Sequence, residues 1–208
     1  MALVLPLFLG FCIAFLAVIL PGLINMTAAK ISLQEGRSQA ISFAAGASVV
    51  VFFQTYLAVL FARFISIHTE IIAMLQEIGI LIFLGLSIYF FWIAKKPKNA
   101  KKEIKIKGKS NRFFFGMLLS MINFLPIPFY VFASMSLASS GYFSFGRYEI
   151  FDFVLGVVLG SFTVFYLYVV AFKSIEKKTQ LLMQNINTII GSVTLAMALF
   201  TLFKLIYP

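Results

Sequence analysis

Six long apolar runs alternate with short polar segments along the chain, at 3 to about 29, 40–64, 71–94, 113–138, 151–172 and 186–206. A helix crosses about 30 Å of hydrocarbon with roughly 20 apolar residues, at 1.5 Å of rise per residue. The runs are too long for barrel strands and lack sustained in/out alternation. The pattern therefore predicts an all-α integral membrane fold of six transmembrane helices. The first run is expected to stay in place as a helix, because it lacks a basic leading segment and a clear small-residue cleavage site.

Composition agrees with that pattern. Of 208 residues, 62% are hydrophobic and only 12% charged, against about 25% charged in a soluble domain, and the mean hydropathy is +1.02. A soluble enzyme, a secreted disulfide scaffold and a disordered tail are excluded. Cys12 stands alone and can form neither an internal disulfide nor a two-thiol relay. The net charge of +10 sits in short connections, which points to anionic lipid rather than nucleic acid.

Those connections also predict orientation. Segments 30–39, 95–112 and 173–183 share one side and hold 14 of the 17 Lys and Arg residues, whereas Arg63, Arg147 and Lys204 fall on the other. The positive-inside rule puts the basic segments in the cytoplasm and both termini outside. Segment 95–112 has nine basic residues against Glu103 and is expected to tether the chain to anionic lipid.

Splitting the chain at that segment leaves three runs on each side, 1–94 and 113–208. Three is odd, so the second set enters the membrane in the opposite sense, as two inverted three-helix repeats. Leu20-Pro21-Gly22 in the first run is echoed by Pro126-Ile127-Pro128 in the fourth, and Ala44 to Ser48 in the second by Gly156 to Gly160 in the fifth. Proline removes an N–H and frees a carbonyl about four residues earlier, which in lipid must find a partner. Interrupted helices in matched positions of two halves are where secondary transporters place substrate. Pro21, Gly22, Asn25, Asn123, Pro126 and Pro128 are therefore candidate substrate-binding positions, joined by the buried polar side chains Gln54 and Tyr130. Tyr166 and Tyr168 are further candidates to line a cavity.

Over its whole length the chain resembles the lysine-exporter (LysE/RhtB-type) translocators. The resemblance rests on Pro21-Gly22, on Gly36-Arg37 followed by Gly46, on Gly79, and on Gly116 followed by Asn123. It implies export of amino acids or related small metabolites, driven by an ion gradient, by a protein that is a possible homodimer. Where the family usually has a second proline, a Gly-Asp pair and an Asn-Pro-Lys sequence, this chain has Leu23, Val50-Val51 and Asn123-Phe124-Leu125. An intramembrane acid and a base are thus missing, and a neutral amino acid is the expected substrate.

Ionisable residues within apolar runs are costly and default to functional candidates. Glu77 and Asp152 are the candidates for ion coupling. His68 has no second His or Cys cluster near it, so no metal and no cofactor are expected. No phosphate-binding Gly-rich motif is present, and no nucleophile, base and orienting acid can be assembled, so the chain is not expected to be an enzyme. Two alternatives remain beside an exporter of a metabolite: an inorganic cation exporter, and a non-transporting scaffold or assembly protein docked through its basic segment.

Overall fold

In a computed structural model, the structure describes residues 4–68, 80–81, 84–85, 87–93 and 111–184, and positions 188, 191–192, 195–196, 198–199 and 202–203. Among the described residues the chain is all helical. It contains α1 (Val4–Val18), α2 (Leu23–Glu35), α3 (Arg37–Ile67), α4 (Arg112–Ile122), α5 (Pro126–Ser139) and α6 (Arg147–Gln184), with a π-helical turn at Tyr89–Ile93. Segments Arg37–Ile67 and Arg147–Ala171 are long and apolar enough to cross a membrane. The pairs α1/α2 and α4/α5 qualify when each is taken together across its bend of 77° and 67°. Large apolar side chains such as Leu16, Phe53, Leu57 and Phe114 lie exposed on the outside, as a lipid-facing surface requires.

Two expectations need correction. Segment 30–39 is not an irregular connection: α2 continues to Glu35 and α3 starts at Arg37. Only Gly36 separates them, at φ 95, a backbone conformation that costs a glycine nothing and a side chain much. Segment 173–183 is likewise helical, inside α6. Hydropathy marks the part of a helix suited to lipid, while the helix itself continues through Lys, Gln and Glu, which favour it in water.

Two compact units are present, Met1–Ser66 with Lys107–Ile175, and Ile67–Ile106 with Glu176–Pro208. Each draws on residues from both sides of the basic segment. In the second unit the Ser87 hydroxyl donates to the Gly191 carbonyl at 3.2 Å, and a Cβ on Gly191 would lie 3.3 Å from the Phe91 ring.

The first unit is held together by glycines that let backbones touch. A Cβ on Gly10 of α1 would strike the Phe153 carbonyl of α6, and one on Gly156 the Leu7 carbonyl. A Cβ on Gly116 of α4 would strike the Phe43 carbonyl of α3, and one on Gly46 the Phe113 carbonyl. The two sets of contacts match residue for residue: α1 positions map onto α4 at a spacing of 106, and α3 positions onto α6 at a spacing of 110. At that second spacing, residues 36–59 and 146–169 share Gly36/Gly146, Arg37/Arg147, Phe43/Phe153, Gly46/Gly156, Phe52/Phe162, Tyr56/Tyr166, Leu57/Leu167 and Val59/Val169. Burial follows the same correspondence, with Phe43 and Phe153 fully enclosed and Tyr56 and Tyr166 exposed. Contact order gives direction as well. Leu7, Phe11 and Ala14 meet Gly156 and then Gly160, so α1 and α6 run parallel. By the same token, α3 meets Phe113 at Gly46 and Asn123 at Gln54, so α3 and α4 run parallel. Between α3 and α6 an open apolar groove of about 470 Å³ is lined by residues that match at the 110 spacing, Ser48 with Val158, Val49 with Leu159, and Phe52 with Phe162.

The ends of this unit are closed by different chemistry. Arg112, almost fully buried at the start of α4, donates from Nε and Nη2 to the two Glu35 carboxylate oxygens at 2.6 Å each, tying α4 to the end of α2. A two-point guanidinium–carboxylate pair fixes orientation as well as distance. About 20 residues further along α3, roughly 30 Å by helical rise, the α5–α6 loop turns Phe143 and Phe145 inward to join Ala58, Val59 and Ala62 in the core. Phe143 lies 5.4 Å from Phe153 and 5.0 Å from Phe145, ring to ring. The loop is pinned by Glu149, which accepts from the Ser144 amide and hydroxyl at 2.7 Å.

Candidate functional site at the helix breaks

The first break starts where α1 ends. Its last regular hydrogen bond runs from the Ile19 amide to Phe15; Pro21 has no N–H to continue the ladder, and Gly22 is extended before α2 resumes. Three successive carbonyls at the break each receive a side-chain donor. Asn25 Nδ2 donates to Val18 at 2.6 Å and to Leu20 at 2.9 Å. The Tyr168 hydroxyl of α6 donates to Ile19 at 2.9 Å. Asn25 is buried, as a group replacing water at a break must be.

At the second break α4 ends in a tight turn, with the Asn123 amide donating to Ser120. Gln54 of α3 supplies the missing donor, its Nε2 bonding Ser120 at 3.2 Å and Asn123 at 3.0 Å. The prolines here do not kink a continuous helix. Pro126 and Pro128 stand in the first turn of α5, where an N–H would have no helical partner.

The candidate residues fall into three groups. Pro21, Gly22 and Asn25 form one break; Gln54, Asn123, Pro126 and Pro128 form the other. The hydrogen bonds at the two breaks involve different residues. Tyr130 is buried in the core of the first unit with Val51, Ala58 and Phe153, its hydroxyl facing Ser161 of α6. Tyr166 is exposed, whereas Tyr168 closes the first break. Asp152 is half-buried, with its Oδ2 enclosed and without a hydrogen-bond partner. Glu77 and most of segment 95–112 lie outside the described residues, and His68 is exposed. Among the described residues no three His, Cys, Asp or Glu side chains converge as metal ligands.

Sequence reasoning named Gln54, whose enclosed Oε1 has no hydrogen-bond partner, but missed the Arg112–Glu35 pair and the enclosed, unpartnered hydroxyls of Thr55 and Ser161. Gln54 and Thr55 lie near the middle of the 31-residue α3. A signal was present in the 110-residue spacing. Gln54, Thr55, Ser161 and Tyr168 stand opposite Val164, Phe165, Val51 and Ala58. The two helices agree at Phe43/Phe153 and Gly46/Gly156 and differ at these polar positions.

Comparison with protein-family models, curated proteins and solved structures finds no match to this chain.

Proposed function

We propose that the chain is a secondary membrane transporter, built as two inverted three-helix repeats, that exports a small neutral metabolite such as an amino acid through the inner membrane. The observation that carries this reading is the pair of helix breaks whose carbonyls are held by side-chain amides. An uninterrupted rod satisfies its backbone internally. A break closed by Asn25 or Gln54 has donors that can let go and re-form as the helices on either side move, the arrangement that transporters use around a central site.

The packing supports the same reading. In a chain that crosses six times in alternation, spans one and five point the same way, as do spans two and four. The parallel α1/α6 and α3/α4 contacts fit those two pairs, and the matched glycine contacts fit a two-fold relation between the halves. The resemblance to the lysine-exporter translocators adds the substrate class, and the gradient of a coupling ion would supply the driving force.

The test is flux. Purified chain in proteoliposomes is expected to move labelled neutral amino acids when an ion gradient is imposed, and a Pro21→Ala variant that inserts normally should lose at least ten-fold of that rate. Unchanged flux in the variant would refute the role of the breaks. Absence of flux for every amino acid, together with capture of a partner protein through residues 95–112, would favour the scaffold reading.

A further inference from the structure

Resting on the transport reading, we infer that the Arg112–Glu35 pair is a latch broken and remade in each transport cycle, and that buried Phe145 is its counterpart at the other end of the first unit. The correspondence follows from the two spacings that the glycine contacts define, 106 between α1 and α4 and 110 between α3 and α6. One residue before the matched Leu7/Phe113 stand Pro6 and Arg112. One residue before the matched Gly36/Gly146 stand Glu35 and Phe145. One end therefore has a guanidinium and a carboxylate where the other has a proline and an aromatic ring, both buried.

The two charges do not serve their own helices. Arg112 opens α4 and Glu35 closes α2, the ends at which each charge opposes the helix dipole. Their bond acts between helices instead: α2 follows the first break and α4 precedes the second, so each partner rides on a half-helix bounded by a bend. A hinge stands beside them. Gly36 takes φ 95, and among the described residues nothing lies within 4 Å of where its Cβ would be, so rotation there meets no obstacle. Hinged closures use a few such residues at element ends to absorb large changes of backbone angle.

The two partners are unequally enclosed. The Arg112 side chain is 6% exposed and that of Glu35 28%. A guanidinium deprived of its carboxylate in so closed a place is driven toward water, and α4 must shift to let it out. Glu35 deprived of Arg112 is hydrated where it stands. Glu35→Gln should therefore open this end further than Arg112→Gln does.

The experiment uses the full chain in nanodiscs, with Cys12→Ser and cysteine pairs at exposed positions. Leu33→Cys with Phe114→Cys reports the Arg112–Glu35 end, and Leu5→Cys with Tyr148→Cys the Phe145 end. Spin-label distances across the first pair are expected to gain a longer population in Glu35→Gln and a smaller one in Arg112→Gln, with the second pair unchanged. Phe145→Ala should do the reverse. Glu35→Asp, which keeps the charge and shortens the reach, serves if the neutral variants do not insert, and should give a reduced form of the same shift. In proteoliposomes, joining Leu33→Cys to Phe114→Cys with a cleavable bifunctional thiol reagent should cut flux by roughly ten-fold or more, since a closure that cannot open limits turnover, and cleavage should restore it. Unchanged distances across the first pair in the Glu35 and Arg112 variants, or flux that survives cross-linking, overturns the latch and leaves the transport reading standing. An unchanged Leu5–Tyr148 distance in Phe145→Ala overturns the counterpart. Absence of flux before any cross-linking overturns the transport reading itself, whatever the distances do.

Discussion

Two amides decide how this backbone tolerates its interruptions. Asn25 and Gln54 each stand where carbonyls lose their helical partners, and each makes two hydrogen bonds to them. Leucine at either place keeps the bulk and removes the donor, leaving buried carbonyls to find water in an apolar interior. Asn25→Leu and Gln54→Leu are each expected to lower stability by about 1–3 kcal/mol, measured by denaturant or thermal unfolding in detergent. A control change at exposed Tyr166 should stay near zero. The positions of the breaks were legible from Pro21 and Pro126. The identity of the closing groups was legible only in part: Asn25 follows Pro21 by one helical turn, but Gln54 and Tyr168 reach their carbonyls from other helices, and a one-dimensional pattern does not say which helices will be neighbours.

Among whole helices, the packing rests on glycines at two mirrored crossings. Each of Gly10, Gly46, Gly116 and Gly156 brings a neighbouring carbonyl so close that a methyl group has no room. Relief requires two backbones to separate, because no flexible side chain stands in the way. Alanine at any of these positions is expected to cost about 1–3 kcal/mol by overpacking, whereas Gly85→Ala, where nothing stands within 4 Å, should not. Thermal unfolding of the five single variants in one detergent checks the ranking. In membranes small residues take the place that bulky apolar residues hold in water, since close van der Waals contact rather than water exclusion drives association. Helix type was legible from hydropathy, and the apolar runs at 40–64 and 151–172 fall within helices long and apolar enough to cross a membrane. The extra turns of α2 and α6 were not, because Lys30 to Glu35 and Ser174 to Gln184 are polar enough to leave the membrane pattern while remaining good helix formers.

On the scale of the molecule, the partners of each crossing come from opposite ends of the sequence. Helix α1 packs on α6 and α3 on α4, so neither 1–94 nor 113–208 can bury its own glycine surfaces alone. Either half expressed by itself is expected to be degraded or aggregated. Co-expression of the two as separate chains should recover protease-resistant, co-purifying material, as pull-down through a tag on one half would show. Recovery of a stable, monodisperse half would contradict the exchanged pairing. The correspondence between the two crossings was only faintly legible before the contacts were known, because the registers differ: 106 between α1 and α4 and 110 between α3 and α6.

Phe145 carries a consequence of its own. It holds φ at 56, a posture that costs a bulky residue about 1–3 kcal/mol, and it does so because its ring is wedged into the core. The loop is therefore spring-loaded: any motion that withdraws the ring also relaxes the main chain. Withdrawing that ring then needs less work than its buried aromatic area implies, while the opposite end stays held by the two-point Arg112–Glu35 pair.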